Sequence, residues 1–158
     1  MSSVVVRRKA MLIAPNAEGT AHAVSLSAPT SENPAGYHRL IGGGLEAGES
    51  HREAIVREVA EELGAAIREL TYVARIENVF TENGVPGHEI VFLYSGRLDP
   101  QPAAVDAILT ESDGTVAPVV WRGWDAPQDP VPLYPAAAEP WVRRIGGNPQ
   151  PSAASAES

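Results

Sequence analysis

Between Gly43 and Ala65 the chain reads GGLEAGESHREAIVREVAEELGA, and no other stretch limits the fold as tightly. Glycines come first, then a helix start, then a concentration of acid. Ser50 followed by Glu53 is a capping-box pair, and Gly64 stands where a helix ends in a left-handed residue. The spacing predicts a helix that opens at Glu49-Ser50 and runs to about Leu63. Glu58, Glu61 and Glu62 fall at i, i+3 and i+4, which points three carboxylates to one face. Val56, Val59, Ala60 and Leu63 are assigned to the opposite face, against a core. Like charges at i, i+4 destabilise a helix by ~0.2–0.5 kcal/mol per pair. Folding gives no reason to accept that cost, whereas a bound divalent cation does. The donors are hard oxygens and the chain has no cysteine, so Mg²⁺ suits the cluster better than zinc.

The same stretch resembles the Nudix box, G-x5-E-x7-R-E-U-x-E-E-x-G-U with U aliphatic. Gly43, Glu49, Arg57, Glu58, Val59, Glu61, Glu62, Gly64 and Ala65 fill its specified positions. A motif this long at fixed spacing, at a turn leading into a helix, is a specific signal. The resemblance implies an α/β/α sandwich with a mixed β-sheet, and hydrolysis of the pyrophosphate linkage in a nucleoside diphosphate joined to another group X. It further implies that Glu58, Glu61 and Glu62 bind Mg²⁺, with Mn²⁺ as a substitute, and that the Gly42 carbonyl is an additional ligand. Arg57 is expected to pair with Glu49 and hold turn and helix in register. Spacing alone allows Arg57 to pair with Glu53 instead, at i, i+4.

Other roles stay open at this level. Glu58 is the first candidate for the general base, and Glu89 and Glu111 are candidates outside the box. Glu111 suits a distal metal ligand equally well. Arg39 is a candidate phosphate contact, and His88 can meet a phosphate or a base edge. Each has an ordinary structural or surface role as its alternative. Members of the family often carry a lysine after the second glycine and a proline before the pair; here Gly44 and Ile41 stand there. Those departures leave the substrate open among nucleoside triphosphate, ADP-ribose, dinucleoside polyphosphate and nucleotide sugar. A non-catalytic Nudix-fold module that senses a nucleotide is the alternative function. Such modules typically lose box carboxylates, and this chain keeps them all. Family members are often dimers, so a homodimer is an expectation.

Composition sets the outer bounds. A chain of 158 residues with net charge −8 makes one domain, and its acidity argues against nucleic-acid or anionic-membrane partners. Without cysteine, disulfides and thiolate sites are excluded. Arg7, Arg8 and Lys9 interrupt the N-terminal apolar run, which is too short for a signal peptide. No stretch approaches a membrane span, so the cytoplasm is the expected location.

Patterning predicts strands over 4–13 and 22–27, joined as a hairpin through Pro15, Asn16 and Gly19. A loop over 28–36 and a strand over 37–41 lead into a Gly42–Gly44 turn. Strands follow over 67–80 and 89–98 and can pair as a hairpin across the Asn83-Gly84 turn, although the loop over 81–87 is longer than the two-residue ideal. Residues 103–109 suit a turn or two of helix, 116–121 a strand, and 125–132 a proline-rich loop. A last helix begins near Pro135 or Ala136 and ends at 145. Trp121, Trp124 and Trp141 are expected to pack in the core. The domain is placed at 1–145, and 146–158 reads as a disordered tail.

Overall fold

The computed structural model describes residues 5–124 and 131–147. In chain order the elements are β1 (Val6–Ile13), β2 (Ala21–Ser27), β3 (Tyr37–Gly44), α1 (His51–Leu63), β4 (Ala66–Glu82), β5 (Val85–Asp99), β6 (Ile108–Thr110), β7 (Val116–Gly123), β8 (Leu133–Tyr134), a 3-10 turn (Ala136–Ala138) and α2 (Glu139–Gly147). The strands form one mixed sheet in the order β4-β5-β1-β3-β2-β7-β6, with β8 added to β3. Strand alternation sends side chains to two cores. Ala10 and Leu12 join Ile41, Phe92 and the α1 residues Ile55 and Val59; Met11 and Ile13 join Leu40, Val91, Leu93 and the α2 residue Val142. The two helices therefore cover opposite faces, which is the α/β/α sandwich with a mixed sheet. Trp121 packs on the first core, and Trp124 and Trp141 on the second.

Several local expectations need correction. β1 does not form a hairpin with β2. It lies between β5, which it meets in parallel, and β3, which it meets antiparallel. Only an isolated Pro15–His22 bridge joins the first two strands directly. The residues from Ala10 to Ile13 are at most 1% exposed, and a strand buried on both faces belongs inside a sheet. The glycines are not a turn either: Gly42–Gly44 extend β3 and pair with Met11, Ala10 and Lys9. Gly42 adopts φ +146, and a Cβ there would overlap the Ala10 carbonyl. Only glycine lets β3 run that close to β1.

The β4–β5 connection is tighter than expected. Asn83 and Gly84 have φ of 51 and 80 and make a two-residue turn, so pairing continues to Glu82–Val85. Both positive φ values match the turn that hairpin twist favours. No helix forms over 103–109; Asp106 turns back at φ 64, and Ile108–Thr110 pairs with β7. Gly146 and Gly147 belong to α2 rather than to a tail. Residues 148–158 and most of the proline-rich loop, 125–130, lie outside the described residues. No helix among the described residues is long and apolar enough to cross a membrane.

The catalytic-looking helix has the predicted ends. The Ser50–Glu53 capping box is complete, and Gly64 closes the helix at φ 63; an N-cap of this kind contributes about 1 kcal/mol. Its rotation differs from expectation. The buried row is Ala54, Ile55, Glu58, Val59 and Glu62, while Val56 is 47% exposed and Ala60 is exposed as well. Two of the three acids thus lie on the flank that faces the sheet.

Candidate active site

β3 carries its glycines against that flank. A Cβ on Gly43 would lie 2.5–2.7 Å from the carboxyl atoms of Glu58. The Glu58 carboxylate therefore rests on bare backbone, in space that any larger residue would fill. One turn later, Glu62 is 7% exposed, and its Oε1 is buried without a hydrogen-bond partner. Burial pushes its pKa up, to about 9, helped by a hydrogen bond with Glu58 and the charges of Glu58 and Glu111, while Arg39 opposes the shift. Glu111 reaches this neighbourhood from the turn after β6. There its N–H donates to the Thr115 carbonyl at 2.7 Å and its own carbonyl accepts from Gly114 N–H at 2.9 Å.

The charges of Glu58 and Glu111 thus act on Glu62 where it is shielded from water, and one Glu62 oxygen faces no donor. A cation would offset the cost of ionising Glu62 there and give its unpartnered oxygen a partner, and oxygen-only donors fit Mg²⁺ or Mn²⁺. Among the described residues, no three acidic or histidine side chains already converge at coordination distance. Glu61 has turned outward, its side chain 54% exposed and paired with Arg57. The sequence placed all three box acids on one face; the structure buries Glu58 and Glu62 side by side, lets the charge of Glu111 act on Glu62, and leaves Glu61 beside the arginine.

Arg57 organises the rim of this acidic site. Its Nε and Nη2 donate to Glu49 Oε2 and Oε1 at 2.6 and 2.9 Å, and Nη2 also donates to the Gly44 carbonyl at 3.0 Å. Nη1 donates to Glu58 Oε2 and to Glu61 Oε1, each at 3.1 Å. The forked bond to Arg57 holds the Glu49 carboxyl down at about 2 and raises the Arg57 guanidinium well above its ordinary value. Glu53 is occupied by the Ser50 N–H at 2.9 Å, so the Glu49 pairing is the one formed. Arg57→Ala is expected to leave a folded protein that turns over about 10–100-fold more slowly, because Glu58 loses its orientation. Arg57→Lys should not restore the rate, since an ammonium cannot fork. Circular dichroism with steady-state kinetics checks this; unchanged turnover would reduce the network to a helix anchor.

Arg39 is partly buried on β3, and its charge acts on Glu62. Two other candidates are not brought to the site. Glu89, 6% exposed, pairs with Lys9 Nζ at 3.1 Å and accepts from Asn78 Nδ2 at 3.3 Å. Its charge acts on the phenols of Tyr37 and Tyr134. His88 Nε2 contacts Glu77 Oε2 at 2.6 Å. The Lys9–Glu89–Asn78 cluster escaped the sequence reading, as did the ring contacts of Tyr134 with Tyr37 at 4.9 Å and Phe80 at 5.2 Å. One signal was available: counting back from a two-residue Asn83-Gly84 turn puts Asn78 opposite Glu89.

Known proteins share this arrangement of elements. The fold is similar to the MutT NUDIX hydrolase from Burkholderia pseudomallei, with TM-score 0.62 and 23% identity over 90% of this chain and 95% of that one. It is also similar to a NUDIX hydrolase from Nitrosomonas europaea, with TM-score 0.61 and 18% identity over 90% of each chain. A MutT protein from Methanosarcina mazei Go1 matches with TM-score 0.60 and 18% identity, over 95% of this chain and 99% of that one. Such identities speak for the fold alone. The NUDIX domain family model, however, matches residues 6–145 directly. That match spans nearly all of the sandwich and includes the complete box on α1, so this chain belongs to the Nudix family and is a hydrolase of phosphoric anhydride bonds.

Proposed function

We propose that the chain hydrolyses a nucleoside diphosphate linked to a group X, using Mg²⁺ or Mn²⁺. The observation that carries the metal is the unpartnered Glu62 oxygen inside a cluster of buried carboxylates. Glu62 and Glu111 would hold the ion, with Glu61 and the Gly42 carbonyl completing the set by position and Glu58 beside them. When bound, the ion neutralises the polyphosphate and makes water a stronger nucleophile. Glu58 accepts the proton of the attacking water. Arg57 keeps Glu58 turned toward the site through the Nη1 bond, and Glu49 fixes Arg57 in turn. Arg39 meets a phosphate oxygen, its planar fork suited to that contact. Tyr37, two residues before Arg39, offers a ring face to the rest of the nucleotide.

Retention of every box carboxylate favours turnover over mere binding. A panel of nucleoside triphosphates, ADP-ribose, a dinucleoside polyphosphate and a nucleotide sugar, each with Mg²⁺, identifies X through the released phosphate or nucleoside monophosphate. At least one class is expected to be split. Nucleotide binding without any turnover, in Mg²⁺ or Mn²⁺, would favour a sensing module.

A further inference from the structure

The segment between β2 and β3 is fastened at a distance. It leaves the sheet at Ser27 and returns at Tyr37, and those two residues face each other in the ladder. Gly36, at φ +86, packs where a Cβ would collide with the Ser27 carbonyl, so the base of the loop is closed on backbone. Inside it, Thr30 and Asn33 exchange backbone bonds at 3.0 and 3.2 Å. Its tip is clasped to the β4–β5 turn. Glu32 Oε1 and Oε2 accept from the Asn83 and Gly84 N–H groups at 2.7 and 3.0 Å, and Asn83 Oδ1 accepts from the Ser31 N–H at 3.0 Å.

These bonds are exposed, yet they join residues about fifty positions apart. Their placement relates them to the site. Ala28, Pro29 and Ala35 form one wall of a groove whose other side includes Glu111, Ala117 and Pro118. Glu111 is the same residue whose charge acts on Glu62. The clasp therefore fastens the loop on one side of a groove that Glu111, a metal ligand in the proposed function, lines on the other.

We propose that residues 28–36 form a strap that limits the size of the group X admitted beside the site, and that Glu32 is the positioning residue that sets it. This rests on the reading of the protein as a hydrolase of nucleoside diphosphate-X substrates. With the clasp closed, the wall stands in and the smaller X is preferred. With the clasp cut, the wall moves freely and a bulkier X enters.

The test compares the intact protein with Glu32→Ala, Glu32→Gln and Asn83→Gly. Gln keeps one acceptor oxygen, and glycine accepts the positive φ of the turn while removing the side-chain acceptor. Two quantities are read: amide hydrogen exchange at Asn83, Gly84 and Ser31, and the ratio of kcat/KM for a dinucleoside polyphosphate to that for a nucleoside triphosphate. Glu32→Ala is expected to speed exchange at Asn83 and Gly84 and to raise the ratio about fivefold, the scale of one hydrogen bond's net contribution. Glu32→Gln should fall between it and the parent, and Asn83→Gly should speed exchange at Ser31 and raise the ratio in the same direction. Unchanged exchange, or faster exchange with an unchanged ratio, overturns the strap while leaving the hydrolase reading intact. A parent protein that splits neither substrate nor any other nucleoside diphosphate-X overturns both.

Discussion

Glu58→Gln should lower kcat by roughly 10²–10⁴-fold at saturating Mg²⁺ while metal affinity is nearly retained, the signature of a lost general base. The substitution keeps shape and removes the charge and the basic oxygen. Geometry favours Glu58 over the two outside candidates. Its carboxylate is fixed between Gly43 and Arg57 Nη1, whereas Glu89 is engaged by Lys9 and Asn78. Glu111 remains as the rival inside the acidic site. Glu62→Gln should behave differently: metal binding weakens, and high Mg²⁺ partly restores turnover. In metal-free buffer Glu62→Gln should also raise the melting temperature at neutral pH, because the amide is buried without the proton that folding imposes on Glu62, whose pKa stands at about 9. Near-normal kcat in Glu58→Gln together with a collapse in Glu111→Gln would move the base out of the box.

A second large effect concerns stability in acid. His22 is 0% exposed, neither ring nitrogen has a partner, and its ring stacks on Trp124 at 5.1 Å and 12°. Burial, and then the charges of Arg122 and His38, lower its pKa from 6.5 to about 3. An unfolded chain takes a proton on this residue near its ordinary value, and the folded chain refuses it until the pH is far lower. The contribution is therefore whole above about pH 6.5 and is lost as pH falls toward 3, by up to about 1.4 kcal/mol per pH unit. Carboxylates titrate in the lower part of this window, so the difference between parent and variant is the useful quantity. His22→Phe keeps a ring on Trp124 and His22→Leu removes it; both should flatten the dependence of the urea midpoint on pH between about 5 and 6.5. Parallel curves for parent and variants would mean that His22 has little influence on acid stability.

Local chemistry was legible in the sequence where it is decided locally. Ser50, Glu53 and Gly64 fix the ends of α1 through bonds within a turn of one another. Arg57, Glu58, Glu61 and Glu62 lie on that one helix, so their spacing carried over intact. The rotation of α1 was not legible. Val56 and Ala60 look like core residues because they are apolar, yet the sheet receives the row containing Glu58 and Glu62, which hydropathy alone assigns to the solvent side. Strand pairing was hidden for a different reason. β1 meets β5 and β3, far along the chain, and periodicity says which residues are buried but not which strand lies beside them. Long-range pairing of β3 with β2, β2 with β7 and β7 with β6 likewise sets where Arg39 and Glu111 lie. Read as a turn, Gly42–Gly44 concealed the close approach of β3 to β1 that glycine permits.

The central claim is that the carboxylates gathered on α1 act through a divalent cation. One sample tests it most directly, assayed three times on a nucleoside diphosphate-X that it splits: with Mg²⁺, after EDTA, and after Mg²⁺ is restored. The account predicts turnover, then its loss, then its return. Full turnover in EDTA would contradict it.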